Sequence, residues 1–145
     1  MYEQLKLDNQ LCFRLYTASR LITQAYRPYL EPLGITYTQY LVLMVLWEKD
    51  NLLVSEISER LMLDTNTVTP LLQRMEHEDL LVRTRSVVDA RQKLVSLTKK
   101  GRRLEEQAKE VPACMVAKLP FLGNDPTRIQ AFIENLNGMI DMLKE

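Results

Sequence analysis

The sequence predicts a mainly α-helical fold that carries one small β-hairpin, and three observations predict it. Apolar residues recur at helical spacing near both ends, as in Leu11, Leu15, Ala18, Ile22 and Ala25, then Ile129, Phe132, Ile133, Leu136, Ile140 and Leu143. Two short amphipathic segments, "VSEISERL" and "MLDTNTVTPLLQRMEHEDL", follow each other with only a few residues between them. After Leu80 the period changes: "LLVRTRS" and "KLVSLT" alternate and are rich in Val, Leu and Thr, as half-buried strands are.

The first helix is expected from about residue 4 to the neighbourhood of Pro28. "PLGIT" breaks it, and Thr36 or Thr38 caps the next segment. There "YLVLMVLW" is apolar throughout, so periodicity alone does not separate strand from helix. Its length with flanks and its Leu and Met content favour a buried helix. Ser55 is the expected N-cap of a short helix that turns Ile57 and Leu61 inward. Asp64 then caps a second, whose apolar face is Val68, Leu71, Leu72 and Met75. Pro70 lacks a backbone donor, so that helix is expected to start late, near Thr67, or to bend. "VVDARQ" is the polar tip of the hairpin. Thr98 caps "KKGRRLEEQAKEV", which Pro112 stops or kinks, and a last amphipathic helix covers about 126–144, behind Asp125-Pro126. Two helices joined by so tight a turn read as a helix-turn-helix. With the hairpin behind them they make a winged helix-turn-helix framed by terminal helices.

Composition limits the function. At 145 residues, 46% hydrophobic and 26% charged, the chain is one globular domain, 1–145. No apolar run approaches the roughly 18 residues a membrane span requires, so the cytoplasm is the expected compartment. One histidine, His77, nearly excludes a multi-histidine metal site, and no metal or cofactor is expected. Two cysteines 102 residues apart (114 minus 12) are free thiols in a reducing compartment.

Net charge is zero, 19 basic against 19 acidic groups, yet the charges are segregated. Residues 83–103 carry eight basic groups and one acid, Asp89, while residues 51–82 carry two basic and six acidic groups. That is the footprint of a chain that meets phosphate with one region. Asp64, Thr65, Asn66, Thr67 and Thr69 crowd the start of the second short helix, with Gln73 and Arg74 on later turns. A recognition helix places short polar groups there, where backbone donors also attract phosphate. Threonine touches a thymine methyl, and Asn and Gln suit adenine. Arg83 and Arg85 add positive charge, and Arg91 at the hairpin tip suits the negative potential of a narrow minor groove. Asp89, two residues before Arg91, is placed to orient that guanidinium.

The run "LDTNTVTPLLQRMEHEDLLVRTRSVVDARQKLVSLTKKG" resembles the winged-helix signature of the MarR-family bacterial transcription regulators. Its matching residues are Asp89 and Arg91 of the wing and Leu97, Thr98 and Gly101 after it. With "LDNQLCFRLYTASR" and "ITYTQYLVLMVLWE" the likeness extends over nearly the whole chain and narrows to the organic-hydroperoxide-sensing OhrR type. The resemblance implies a homodimer that binds double-stranded DNA at an inverted-repeat operator and answers an organic hydroperoxide. It implies dimerisation helices at about 1–35 and 104–145 around a winged helix-turn-helix at about 36–103.

It also implies that Cys12 is the redox sensor and that Tyr16, Tyr26 and Tyr37 line its pocket and stabilise the thiolate. The chemistry agrees, because the thiolate attacks the O–O bond and hydroxyl donors favour the charged form. Cys12, Tyr16, Ser19, Thr23 and Tyr26 do form one stripe at helical spacing. On a straight helix Tyr26 lies roughly 21 Å from Cys12 at about 1.5 Å per residue. If both serve one site, that site straddles two protomers. Some members of the branch have only the sensor cysteine, and others resolve its sulfenic acid with a second; Cys114 is either that resolving thiol or a packing residue. The rival readings are a regulator of the same fold released by a small phenolic or apolar ligand, with Cys12 structural, and a thiol peroxidase. The latter lacks a recycling motif such as Cys-x-x-Cys.

Overall fold

A computed structural model describes residues 1–123 and 125–144. Two compact units make up the chain, Met1–Lys109 and the part from Glu110 onward.

The first unit opens on two 3₁₀ turns, Glu3–Leu5 and Leu7–Asn9, where the sequence suggested helix. Side-chain amides explain the difference: Asn9 Nδ2 donates to the Glu3 carbonyl at 2.7 Å, and Gln10 Nε2 to the Gln4 carbonyl at 2.8 Å. Such local bonds offer the backbone an alternative to the helix. The first α-helix, α1, is Leu11–Ala25, and none of its residues is buried in the single chain. It ends three residues before Pro28, near where the sequence suggested, and Pro28 itself sits in the first turn of a short α2, Arg27–Leu30, where its missing donor costs nothing.

Helix α3, Tyr37–Glu48, is capped by Thr36 rather than Thr38. Its Oγ1 accepts the Gln39 N–H at 3.3 Å while Gln39 Oε1 accepts the Thr36 N–H at 3.0 Å, a reciprocal capping box. The all-apolar run is therefore a core helix, with Tyr40, Val42, Leu43, Val45 and Leu46 buried.

A strand unforeseen in the sequence comes next: β1, Leu52–Leu53. Two residues are too few to show a period. Asp50 fixes them, since its Oδ1 accepts the N–H of Asn51 at 2.8 Å and of Leu97 at 3.0 Å. Helix α4, Val54–Leu61, starts at once, so Leu53 and not Ser55 is the N-cap residue; Ile57 is fully buried as expected and Leu61 half-buried. Met62, in the left-handed region at φ +55°, ends it.

Helix α5, Thr65–His77, has Asp64 at its N-cap position without a side-chain cap bond. It does not start late, and Pro70 stands at its sixth position, inside the helix. The only donor forgone is the one the Asn66 carbonyl would have accepted. Val68, Leu71, Leu72 and Met75 are buried as predicted.

The hairpin is β2, Leu81–Arg85, and β3, Lys93–Leu97, paired from Leu81↔Leu97 to Arg85↔Lys93, and the sheet order is β1-β3-β2. Thr98 caps α6, Lys99–Ala108, by accepting the Gly101 N–H at 3.1 Å, and its hydroxyl donates to the Asp79 carbonyl at 2.6 Å. Gly101 permits a close approach: a Cβ there would lie 2.2 Å from the Leu80 carbonyl oxygen. The Trp47 indole N–H donates to the Gly101 carbonyl at 2.9 Å. Helix α6 ends at Ala108, before Pro112 can act on it.

In the second unit Pro112 instead stands in the first turn of α7, Val111–Ala117. Helix α8, Pro126–Leu143, begins on Asp125, whose Oδ1 accepts the Thr127 N–H at 2.9 Å. No α8 residue is buried, and Phe132, Ile133, Ile140 and Leu143 are exposed. Leu11 and Ile22 on α1 are likewise apolar and exposed in the single chain. Among the described residues no helix is long and apolar enough to cross a membrane, and no group of three or more metal-ligating side chains occurs.

Candidate functional site

Two regions of the first unit hold the residues with chemistry to offer. In the first, α5 buries one face, so its polar residues point outward. Asp64, Thr65, Asn66, Thr67, Gln73 and Arg74 are exposed and Thr69 is half-buried. Thr65, Thr69 and Gln73, four residues apart, share one side of the helix. A cleft of about 260 Å³ separates this helix from the wing, and Ser55, Thr65, Thr69, Arg83, Arg91 and Lys93 line it. Hydroxyls and cations around a groove of that width suit a phosphodiester backbone.

At the wing tip the Asp89–Arg91 pair stands as the sequence suggested. Asp89 Oδ1 accepts the Arg91 N–H at 3.0 Å and Nε–H at 3.2 Å, while Arg91 remains 91% exposed. The Arg91 backbone N–H, then its guanidinium, hold the Asp89 carboxyl below the usual carboxylate range. The carboxylate thus steers a guanidinium that is otherwise free to reach outward. Arg85 at the end of β2 is exposed as well.

Arg83 departs from the expectation of an outward cation. Its side chain is only 18% exposed and pairs with Glu76 Oε1 at 3.1 Å, while its backbone N–H donates to Glu76 Oε2 at 2.8 Å. That backbone bond is the main cause of the lowered pKa of Glu76. Arg83 therefore ties β2 to α5 and lines the cleft floor. Alternation along the strand carries the signal, since Arg83 and Leu81 are two apart and share a face.

The second region is the thiol and its hydroxyls. Cys12 is free and exposed in the first turn of α1, with Tyr16 exposed one turn on. Tyr26, at the other end of α1, stacks on Tyr37, ring centroids 4.6 Å apart and 10° from parallel. Tyr40, which sequence reasoning passed over, joins them at 5.8 Å from Tyr26 and 6.3 Å from Tyr37. Its signal was the i, i+3 spacing from Tyr37. Burial first, then the neighbouring phenols, raise the pKa of Tyr26 above the ordinary tyrosine value; burial raises Tyr37 and Tyr40 likewise. All three therefore stay protonated at neutral pH. A cavity of about 290 Å³, lined by Thr23, Arg27, Leu30, Ile35, Thr36 and Tyr37 among others, opens beside the pair. The Thr23 hydroxyl donates to the Ser19 carbonyl at 2.9 Å and is spent on its own helix.

Because α1 is unbroken from Leu11 to Ala25, one chain does not bring Cys12 to Tyr26. Cys114 is free and half-buried in α7 of the second unit. His77 is exposed at the end of α5, and Trp47 belongs to the packing.

Known proteins resemble this chain in sequence and fold. The family described as transcriptional regulator SarA/Rot matches residues 24–108. The organic hydroperoxide resistance transcriptional regulator of Bacillus subtilis (strain 168) is 42% identical over 135 residues, 93% of this chain and 92% of its own. Among solved structures, reduced AbfR bound to DNA superposes with a TM-score of 0.81 at 37% identity, over 99% of this chain and 98% of that one. AbfR, a protein of Staphylococcus epidermidis, superposes in its disulfide form at 0.66 with 36% identity over 95% of each chain.

Proposed function

The chain belongs to the MarR-type winged-helix transcriptional regulators, in the organic-hydroperoxide branch, and from that premise we propose a dimeric repressor released from its operator when an organic hydroperoxide oxidises Cys12. The observation that carries this reading is the exposed thiol of Cys12 on a helix whose apolar row is bare, in a chain that also presents a winged reading surface. A second copy covers that row and brings its own Tyr26–Tyr37 pair to the thiolate. The 36–103 segment then reads DNA while 1–35 and 104–145 hold the dimer together. The Cys12 sulfur attacks the terminal peroxide oxygen, the O–O bond breaks, the alkoxide leaves and takes up a proton, and Cys12 becomes a sulfenic acid. Each event spends one thiol, so the chain is a stoichiometric sensor and not an enzyme, acting in the cytoplasm. A switch by a small phenolic or apolar ligand, with Cys12 structural, is the weaker reading, because one relative is named for organic hydroperoxide resistance and another, AbfR, is solved in reduced and disulfide forms.

On the DNA side, Asp64, Thr65, Asn66, Thr67, Thr69, Gln73 and Arg74 meet the major groove and Arg91 the minor groove. Arg91→Ala is expected to weaken operator binding by about 1–3 kcal/mol, roughly five- to 150-fold, in fluorescence anisotropy at physiological salt. Binding that stays unchanged removes the wing from the reading surface.

The redox reading is tested by a gel shift with an inverted-repeat operator duplex, with and without an alkyl hydroperoxide. Wild type should leave the duplex on oxidation and Cys12→Ser should stay bound. Release of Cys12→Ser to the same extent as wild type sinks the assignment of the sensor.

A further inference from the structure

A signal that starts at the thiol has to reach the recognition helix, and one buried side chain joins the two regions. Gln39 is 1% exposed. Its Oε1 accepts the Thr36 N–H at 3.0 Å and closes the cap of α3, the helix that opens on Tyr37. Its Nε2 donates to Glu78 Oε2 at 3.0 Å, across 39 residues of chain. Glu78 is the C-cap residue of α5, and its own N–H closes the last turn on the Arg74 carbonyl at 3.0 Å. The amide thus spends one end on the start of the tyrosine-bearing helix and the other on the end of the reading helix.

We propose that Gln39 is a positioning residue for redox release: it passes a displacement of the Tyr26–Tyr37 stack through its buried amide to Glu78 and so to the orientation of α5. This rests on the redox reading above. The physical reason is the cost of breaking such a bond. An amide that leaves its partners inside the protein is not rescued by water, so the two helix ends it joins move together. Glu78 is held from a second side as well, because Lys100 Nζ on α6 donates to its carbonyl at 2.9 Å. A shift of Glu78 therefore acts on the end of α5 and the start of α6 at once.

The experiment measures operator affinity of the full-length dimer, reduced and after one equivalent of tert-butyl hydroperoxide, and takes the ratio. Glu78→Ala removes the acceptor and leaves the Thr36–Gln39 cap in place; Glu78→Gln restores an oxygen acceptor. In Glu78→Ala the reduced protein should still bind, Cys12 should oxidise at the wild-type rate, and the ratio should fall by about tenfold or more, a loss of about 1.4 kcal/mol of coupling. Glu78→Gln should recover most of the ratio, and Gln39→Met should reproduce the loss. A ratio that falls less than about tenfold in Glu78→Ala, or falls only because reduced binding is gone, overturns the proposal. Wild type that stays bound after oxidation fails the redox reading itself. Release of both wild type and Glu78→Ala to the same extent fails only the role of Gln39.

Discussion

One equivalent of an alkyl hydroperoxide should turn the wild-type chain into a covalent dimer on a non-reducing gel, and either Cys12→Ser or Cys114→Ser should abolish that band. A sulfenic acid condenses with a thiol, forming the S–S bond and releasing water, and each chain has one thiol besides Cys12, at position 114. The bare apolar rows of α1 and α8 suit a second copy, so the expected partner of Cys12 is Cys114 of that copy. A disulfide holds its Cα atoms within about 4.4–6.8 Å, so forming two of them fixes the dimer's geometry. DNA demands recognition helices about one helical turn apart, 34–36 Å. A dimer locked away from that spacing keeps only sequence-independent attraction, and the operator affinity should drop by about a thousandfold or more. Full release with a single-chain band carrying a small-thiol adduct would instead make Cys114 a packing residue, with Cys12 acting alone.

The second large effect is on stability. Gly101→Ala should lower it by about 3 kcal/mol, near the top of the range for overfilled sites. The added Cβ would meet the Leu80 carbonyl oxygen at 2.2 Å and the Leu97 side chain at 3.1 Å. The oxygen is backbone and cannot rotate away, because the Leu80 carbonyl also accepts the Thr98 N–H at 3.2 Å. Helix α6 would have to retreat, taking with it the Gly101 carbonyl that holds Trp47. For a chain of this size the melting temperature should fall by roughly 6–12 °C, compared at equal protein concentration because a dimer's stability depends on it. A change below about 1 kcal/mol would mean that α6 has slack at this contact.

Much of this was legible in the residues, and the parts that were not have physical causes. The capping threonine before α6, the buried face of α5 and the two wing strands all rest on strong local signals: a hydroxyl three residues before a glycine, apolar residues at helical spacing, and strict alternation. The Asp89–Arg91 pair was legible because it is local, two residues apart and bonded without help from the fold. Long-range facts were hidden. Nothing near Leu52 announces a strand whose existence depends on Asp50 reaching the Leu97 N–H. Arg83 looked like its neighbours in a basic run until Glu76, one helix away, claimed it. Pro112 was misjudged because its ring begins a helix, where no donor is missed, and a breaker and a starter look alike in a bare sequence.

The chain has a single tryptophan, and its surroundings give it a use beyond packing. The Trp47 ring meets Tyr40 edge-on at 6.3 Å, and Tyr40 in turn touches both Tyr26 and Tyr37. The indole N–H is anchored on the Gly101 carbonyl, while the aromatic neighbours it senses belong to the tyrosine cluster. Intrinsic fluorescence is therefore a label-free optical channel onto that cluster. Excited selectively, Trp47 reports a rearrangement of the phenols in stopped flow, on the unmodified protein and in the absence of DNA. The order of events then becomes a matter of timing: an emission change that precedes operator release places the tyrosines upstream of the reading helix.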